Sequence, residues 1–226
     1  MIFTILTIFP ESLSSYVKIG MVNRALKKKI IKIKTINLRG FTLDKRKTVD
    51  DKPYGGGAGM VMKIEPIYRA LKKILGKSVL NKQERKRKEE RVILLTANGK
   101  EFKQADARRI VKYKHVILIC GRYEGIDARV EQLVDEKLSI GEYVLTGGEL
   151  AAGVIIDSAS RLLPEVLGDE QSAVHESHSC PGYKEHPQYT RPETFNAGGK
   201  RKWKVPPILL TGDHKKIELW RQKHSI

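Results

Sequence analysis

The chain has 226 residues, 40% of them hydrophobic, which is enough for a real core and argues against wholesale disorder. Its 43 Lys and Arg outnumber 26 Asp and Glu, an excess of 17 positive charges that points to a polyanionic partner. No apolar run reaches membrane-spanning length, the opening MIFTILTIFPE lacks a signal peptide's basic start and cleavage site, and two cysteines exclude a disulfide scaffold, so a soluble, cytosolic protein is expected.

The charge is unevenly placed. Residues 1–115 carry 29 basic and 10 acidic side chains, whereas residues 116–160 carry 3 and 8. In chain order, residues 2–9 read as a buried strand closed by Pro10. A helix should follow, with Leu13, Tyr16, Val17 and Met21 on one face and Lys27, Lys28 and Lys29 at its end, where cations suit the dipole. Residues 31–36 alternate imperfectly as a second strand, and the polar stretch 39–52 runs into Pro-Tyr-Gly-Gly-Gly-Ala-Gly, read as a mobile loop. Residues 64–74 look helical, and 77–90 read as a charged, exposed insertion.

From Arg91 the pattern becomes regular. Strands are expected at 92–95, 116–120 and 138–140, and helices at 102–111, around Ile126, Val130, Leu133 and Val134, and around Leu150, Val154, Ile155 and Ser158. Strands alternating with helices predict an α/β fold with a parallel sheet covered on both faces. Residues 164–200, rich in Pro, Gly, Ser and His, read as linker; the tail ends in a short helix with Asp213 as N-cap.

Parallel sheets bind ligands beyond the carboxyl ends of their strands. Three glycine-containing loops sit there: Thr96-Ala97-Asn98-Gly99, Gly121-Arg122-Tyr123-Glu124-Gly125, and the stretch 140–148. No GxxxxGK[ST] is present and GGGAG does not fit GxGxxG, so a P-loop or ordinary dinucleotide site is disfavoured. With Arg122 as almost the only cation, the loops suit a neutral or zwitterionic ligand with a nucleoside part better than a pyrophosphate. His175, His178 and Cys180 are too few for a structural zinc site, no GxSxG occurs, and no metal ligands are assigned.

NLRGFTLDKRKTVDDKPYGGGAGM (37–60), CGRYEGID (120–127), SIGEYVLTGGELAA (139–152), SRLLPEVLG (160–168), HPQYTRPE (186–193) and VPPILLTGDHKKIELWRQKHS (205–225) closely resemble bacterial tRNA (guanine-N1)-methyltransferases, in order and spacing. The resemblance implies a SPOUT-type fold: a parallel α/β sheet with a deep trefoil knot at about 91–161 in a methyltransferase domain (1–161), a linker (162–180), and a small helical C-terminal tRNA-binding domain (181–226). It implies a homodimer with the active site at the subunit interface. The activity implied is methyl transfer from S-adenosylmethionine to N1 of guanosine 37, beside the anticodon and after a guanosine, a modification that suppresses frameshifting.

Carried onto these positions, the cofactor would be held by Leu94, Leu95, Thr96, Ala97, Asn98 and Gly99, by Gly121, Arg122, Tyr123 and Glu124, and by Ser139, Ile140, Gly141, Glu142, Tyr143, Val144, Leu145, Gly147 and Gly148. Tyr143 and Leu145 would lie near the adenine. Ala97 and Ala151 stand where the family usually has proline, which costs rigidity rather than a donor. Guanine N1 carries a proton at neutral pH, so a general base must remove it while a donor steadies O6. The family's arginine falls on Arg161 and its base on Glu176, where most relatives have aspartate; Asp169 is the rival carboxylate. Asp50, Gly59, Ser172, Arg46 and Lys47 would face the RNA. The resemblance also suggests assistance by magnesium, for which the sequence shows no dedicated site. The residues leave open the same fold acting on another RNA, and a non-catalytic RNA-binding protein.

Overall fold

The apolar opening run becomes β1 (Ile2–Thr7) in the computed structural model, which describes residues 1–168, 176–198 and 201–225. Helix α1 (Gly20–Lys27) starts later than the spacing of Leu13, Tyr16 and Val17 suggests. Hydroxyls of Ser12 and Ser14 donate to the carbonyls of Phe9 and Glu11 and hold that stretch in turns. Next come β2 (Lys32–Asn37), a short antiparallel hairpin of β3 (Asp50–Asp51) and β4 (Val61–Met62), and α2 (Ile64–Leu75). The Gly-rich segment read as a loop is the connection at the tip of this hairpin.

The charged stretch 77–90 is not simply exposed. Asn81 caps α3 (Lys82–Arg87) by accepting from the Glu84 amide, and Arg85 is fully buried. Its guanidinium meets Asp135 at 2.8 Å and donates to the carbonyls of Ser78 and Val79 at 2.9 and 2.6 Å. Asp135 also accepts from the Val92 amide at 2.8 Å. A buried charge persists only when paired and hydrogen-bonded in this way.

The remaining elements of this region are β5 (Glu90–Glu101), α4 (Gln104–Ile110), β6 (His115–Cys120), β7 (Glu136–Ser139) and α5 (Glu149–Ser160). A 3-10 turn (Ala128–Gln132) replaces the helix expected near Val130, with Asp127 accepting from the Arg129 amide at its start. Five strands form one parallel sheet in the order β2-β1-β6-β5-β7. Period-two alternation decides which side each residue serves. Val116, Leu118 and Cys120 join the layer containing α1 and α5, whereas Ile117 and Ile119 join the layer containing α2. Gly153 lets α5 approach that first layer, since a Cβ there would lie 3.2 Å from Leu13.

The chain divides into two compact units, Met1–Gly168 and Asp169–Ile226. The division falls after Gly168 because Val166 is fully buried in the core of the first unit. The second unit contains the hairpin β8 (Thr194–Asn196) and β9 (Lys202–Lys204), and helix α6 (His214–His224). Asp213 caps α6, accepting from the Lys216 amide at 3.2 Å. Trp220 stacks on His224 and meets His186 and Tyr189 edge-on.

Candidate functional site

Three adjacent strands, β6, β5 and β7, end at one cavity of about 360 Å³. Leu95 and Lys100 both pair with Leu138, so residues 96–99 are looped out of the β5 ladder toward the cavity mouth. The walls include Leu94, Leu95, Thr96, Ala97 and Asn98 from that loop, and Gly121, Arg122, Tyr123 and Glu124 from the loop after β6. Ser139 at the end of β7 and Ile140, Tyr143, Val144, Leu145, Gly147 and Gly148 from the loop after it also line the cavity. Gly99, Gly141 and Glu142 do not line the space. Gly99 backs onto β7, where a Cβ would sit 2.6 Å from the Leu138 carbonyl carbon. Gly148 crosses β6 as closely: its amide donates to the Gly121 carbonyl at 3.0 Å, and a Cβ would come within 2.8 Å of the Cys120 α-carbon.

Sequence reasoning missed several wall residues, among them Ile126, Asp127 and Glu131, whereas Thr146 lies within the 140–148 stretch it singled out. Asp127 lies just past the loop at 121–125; Ile126 and Glu131 gave no signal, because they sit in a segment read as an ordinary helix.

Arg122 is the cavity's principal cation, and its charge is already matched. Its Nε and Nη2 lie 3.0 and 2.9 Å from Oε2 of Glu149, and its Nη1 donates to the Thr146 carbonyl at 3.2 Å. The other carboxylate oxygen of Glu149 accepts from the Thr7 hydroxyl. Glu149 opens α5 and is buried, so the helix N-terminus adds to its stabilisation. Arg122 also covers the ring of Phe9, 4.7 Å from its centroid. The remaining charges on the walls are acidic: Glu124, Asp127 and Glu131. Asp127 is held below the usual carboxylate range, chiefly by its hydrogen bond from Arg129. Glu131 pairs with Lys137 at 2.8 Å.

A cavity with a neutralised arginine and acidic walls is a poor phosphate site and a suitable one for a zwitterionic nucleoside bearing a positive centre. Glycine at the close backbone crossings lets the wall loops pack tightly against the strand ends. On these grounds the residues fit S-adenosylmethionine. Cys120, at the base, is buried and its thiol pKa is pushed well up by desolvation, so it serves as a packed hydrophobe.

The hairpin that carries the Gly-rich segment docks on the second wall loop. Amides of Glu124, Met62 and Asp127 donate to the carbonyls of Met60, Gly125 and Met62 at 3.0, 2.9 and 2.9 Å. Gly59, at φ +76°, lies against the Glu124 side chain so closely that a Cβ would overlap it. Asp50 pairs with Met62 across the hairpin. Two residues expected on the RNA side thus lie on the hairpin that abuts the cavity. Arg46 and Lys47 are exposed ahead of it, and the Lys47 carbonyl accepts from Arg39 at 3.2 Å.

Arg161 caps the end of α5 in the first unit, its amide donating to the Asp157 carbonyl at 3.2 Å. Glu176, in the second unit, opens a tight turn whose Ser179 amide donates to the Glu176 carbonyl at 2.9 Å. Asp169 and Ser172 lie outside the described residues, as does His175. Among the described residues no three His, Cys, Asp or Glu side chains converge as a metal site, and no helix is long and apolar enough to cross a membrane.

A family model described as tRNA (Guanine-1)-methyltransferase TrmD matches residues 1–226. A protein of Carboxydothermus hydrogenoformans named tRNA (guanine-N(1)-)-methyltransferase is 49% identical over 223 residues, 98% of this chain and 81% of its own length. A protein of the same name from Dictyoglomus turgidum is 46% identical, over 98% of this chain and 84% of its own. A crystal structure of tRNA (m1G37) methyltransferase from Aquifex aeolicus is similar with a TM-score of 0.76 at 38% identity, covering 99% of this chain and 88% of that one.

Proposed function

The chain belongs to the tRNA (guanine-1)-methyltransferase family, and from that premise we propose that it methylates N1 of guanosine 37 in tRNAs with a preceding guanosine, using S-adenosylmethionine. The observation that carries the reading within the structure is the docking of Gly59 and its hairpin on Glu124, which sets an RNA-side loop against a cavity unsuited to phosphate.

S-adenosylmethionine, when bound, supplies a methyl group on a positively charged sulfur. The chain's own residues do the rest. The loop out of β5 and the loops after β6 and β7 grip the nucleoside and amino-acid ends and exclude water. Glu149 keeps Arg122 engaged, so the cavity presents no spare cation to repel the sulfonium. Glu176 takes the N1 proton onto a carboxylate oxygen, freeing the lone pair that accepts the methyl group. Arg161 donates to O6, where charge develops as that proton leaves. Glutamate for aspartate adds one methylene and keeps the carboxylate. Asp50, Gly59 and Ser172 position the base, and Arg46 and Lys47 meet backbone phosphates.

The trefoil knot belongs to the same proposal. Its support is the passage of the 146–148 segment across the end of β6, with Arg122 and Gly147 bridged and Gly148 bonded to Gly121. A homodimer is supported by Leu150 and Val154, one turn apart on α5 and exposed by 62% and 45%. Such apolar surface is usually covered by a partner. Exposed Phe195 and Trp203 beside Lys202 and Lys204 support the tRNA-binding assignment of the C-terminal unit.

The test is methyl incorporation from labelled donor into tRNA transcripts varied only at positions 36 and 37. Incorporation should require guanosine at both; equal incorporation into all transcripts, or none into any, would overturn the reading.

A further inference from the structure

The first unit has a second cleft, at the β2 edge of the sheet and on the α2 side, with a volume of about 610 Å³. Thr4, Lys34, Phe41, Lys73, Ile74 and His115 form most of its wall, and none of its lining residues is acidic. This inverts the chemistry of the donor cavity. Thr4 Oγ1 and His115 Nε2 are 2.9 Å apart, and the Lys73 ammonium lies 5.7 Å from the centroid of the Phe41 ring. Arg69 donates to the Phe41 carbonyl at 3.0 Å and ties that aromatic turn to α2. Burial first, and the Lys34 charge second, hold the His115 pKa below its ordinary value. An incoming anion would reverse the second of these effects.

Two lysines over an aromatic and aliphatic floor match one nucleotide, with its phosphate on the cations and its base or sugar on the apolar surface. Something must also bring a nucleotide there. Helix α2 follows directly from the hairpin that docks on Glu124, and Met62 of that hairpin and α2 share one apolar cluster. At 1.5 Å per residue its twelve residues span about 18 Å, with Lys72 and Lys73 in the last turn. The cleft therefore lies a few nucleotides' reach from the hairpin, on the same layer of the unit.

We infer that this cleft seats a nucleotide of the RNA substrate some nucleotides away from the methylated guanosine, with a backbone phosphate held between Lys34 and Lys73. The inference rests on the RNA methyltransferase reading above. Charge complementarity and continuity with the RNA-side hairpin select RNA over a peptide, even though β2 is an edge strand.

The experiment compares wild type with the Lys34→Glu, Lys73→Glu variant on a full-length tRNA transcript, reading the dissociation constant, KM and kcat across a salt series. Both lysines are exposed, so circular dichroism and methyl-donor calorimetry should match wild type. The variant should raise the dissociation constant and KM about tenfold or more, leave kcat within about twofold, and reduce the slope of log affinity against log salt by about one to two. Unchanged RNA affinity and salt slope overturn the inference. So does loss of inorganic phosphate binding with RNA affinity intact, which marks a free-anion site. A changed sedimentation coefficient with RNA affinity intact also overturns it, because the cleft is then a protein interface. If wild type binds RNA through these lysines yet methylates no guanosine, the cleft stands and the methyltransferase reading fails.

Discussion

Gly59 lies against Glu124 with no room for a methyl group between them, so the β3–β4 hairpin and the wall of the cavity share a contact. Its φ of +76° adds a second demand, because an L side chain there costs about 1–2 kcal/mol. Gly59→Ala should push the exposed Glu124 side chain aside and strain the hairpin tip while leaving the sheet intact. Steady-state kinetics should show KM for tRNA rising about tenfold, or 1.4 kcal/mol, with donor binding within about twofold. Adding Glu124→Ala relieves the overlap but not the backbone strain, so it should restore only part of the loss. A wild-type KM in the single variant would show that the contact does not position RNA.

Glu149 neutralises Arg122 inside the first unit, with the two side chains 3% and 23% exposed. Glu149→Gln leaves the guanidinium with no counterion at the cavity wall. Chemical denaturation should report a loss of about 3 kcal/mol. Calorimetry should report weaker donor binding by about tenfold or more, since 1.4 kcal/mol is one decade. Unchanged donor affinity would mean the cavity tolerates a free cation.

The buried Arg85–Asp135 pair joins the charged stretch 77–90 to the start of β5, because Asp135 also holds the Val92 amide. Arg85→Ala strands a buried carboxylate and should cost about 3–5 kcal/mol in urea or guanidinium melts. Lys86→Ala, one residue away on the exposed face of the same short helix, should cost under about 0.5 kcal/mol. Equal effects would contradict the structural role assigned to Arg85.

His115 has a lower pKa in the folded chain than its ordinary 6.5, through burial and then Lys34. Protonation therefore favours the unfolded chain. The contribution is complete above the unfolded pKa and is lost as pH falls through it toward the folded value. Denaturation midpoints should fall as the pH drops from about 7 to below the ordinary 6.5, and His115→Gln should flatten that part of the profile. A rise in stability on acidification through that range, removed by the same substitution, would reverse the sign assigned here.

Most of the sheet was legible because its strands are continuous apolar runs: VILIC at 116–120 alternates cleanly into two layers, and residues 92–95 do likewise. The loops that line the cavity were legible because glycine is demanded where backbone crosses backbone, as at Gly148 over Cys120. Arg85 was not legible, since a buried arginine inside a charge run has the same local pattern as its exposed neighbours. Glu149 escaped for a related reason: its partner Arg122 is 27 positions earlier, and only the fold brings them together. The hairpin around the Gly-rich segment has two residues per strand, too few for any periodicity to register.

The most direct measurement is the identity of the methylated nucleoside. A tRNA transcript with guanosine at 36 and 37 is incubated with protein and S-adenosylmethionine, digested to nucleosides and resolved by mass and retention, for wild type and Glu176→Gln. Wild type should yield N1-methylguanosine from position 37, and Glu176→Gln should form it about 10²–10⁴-fold more slowly while binding donor normally. Methyl groups on another guanine atom or another nucleotide, or full-rate N1 methylation by Glu176→Gln, would contradict the mechanism.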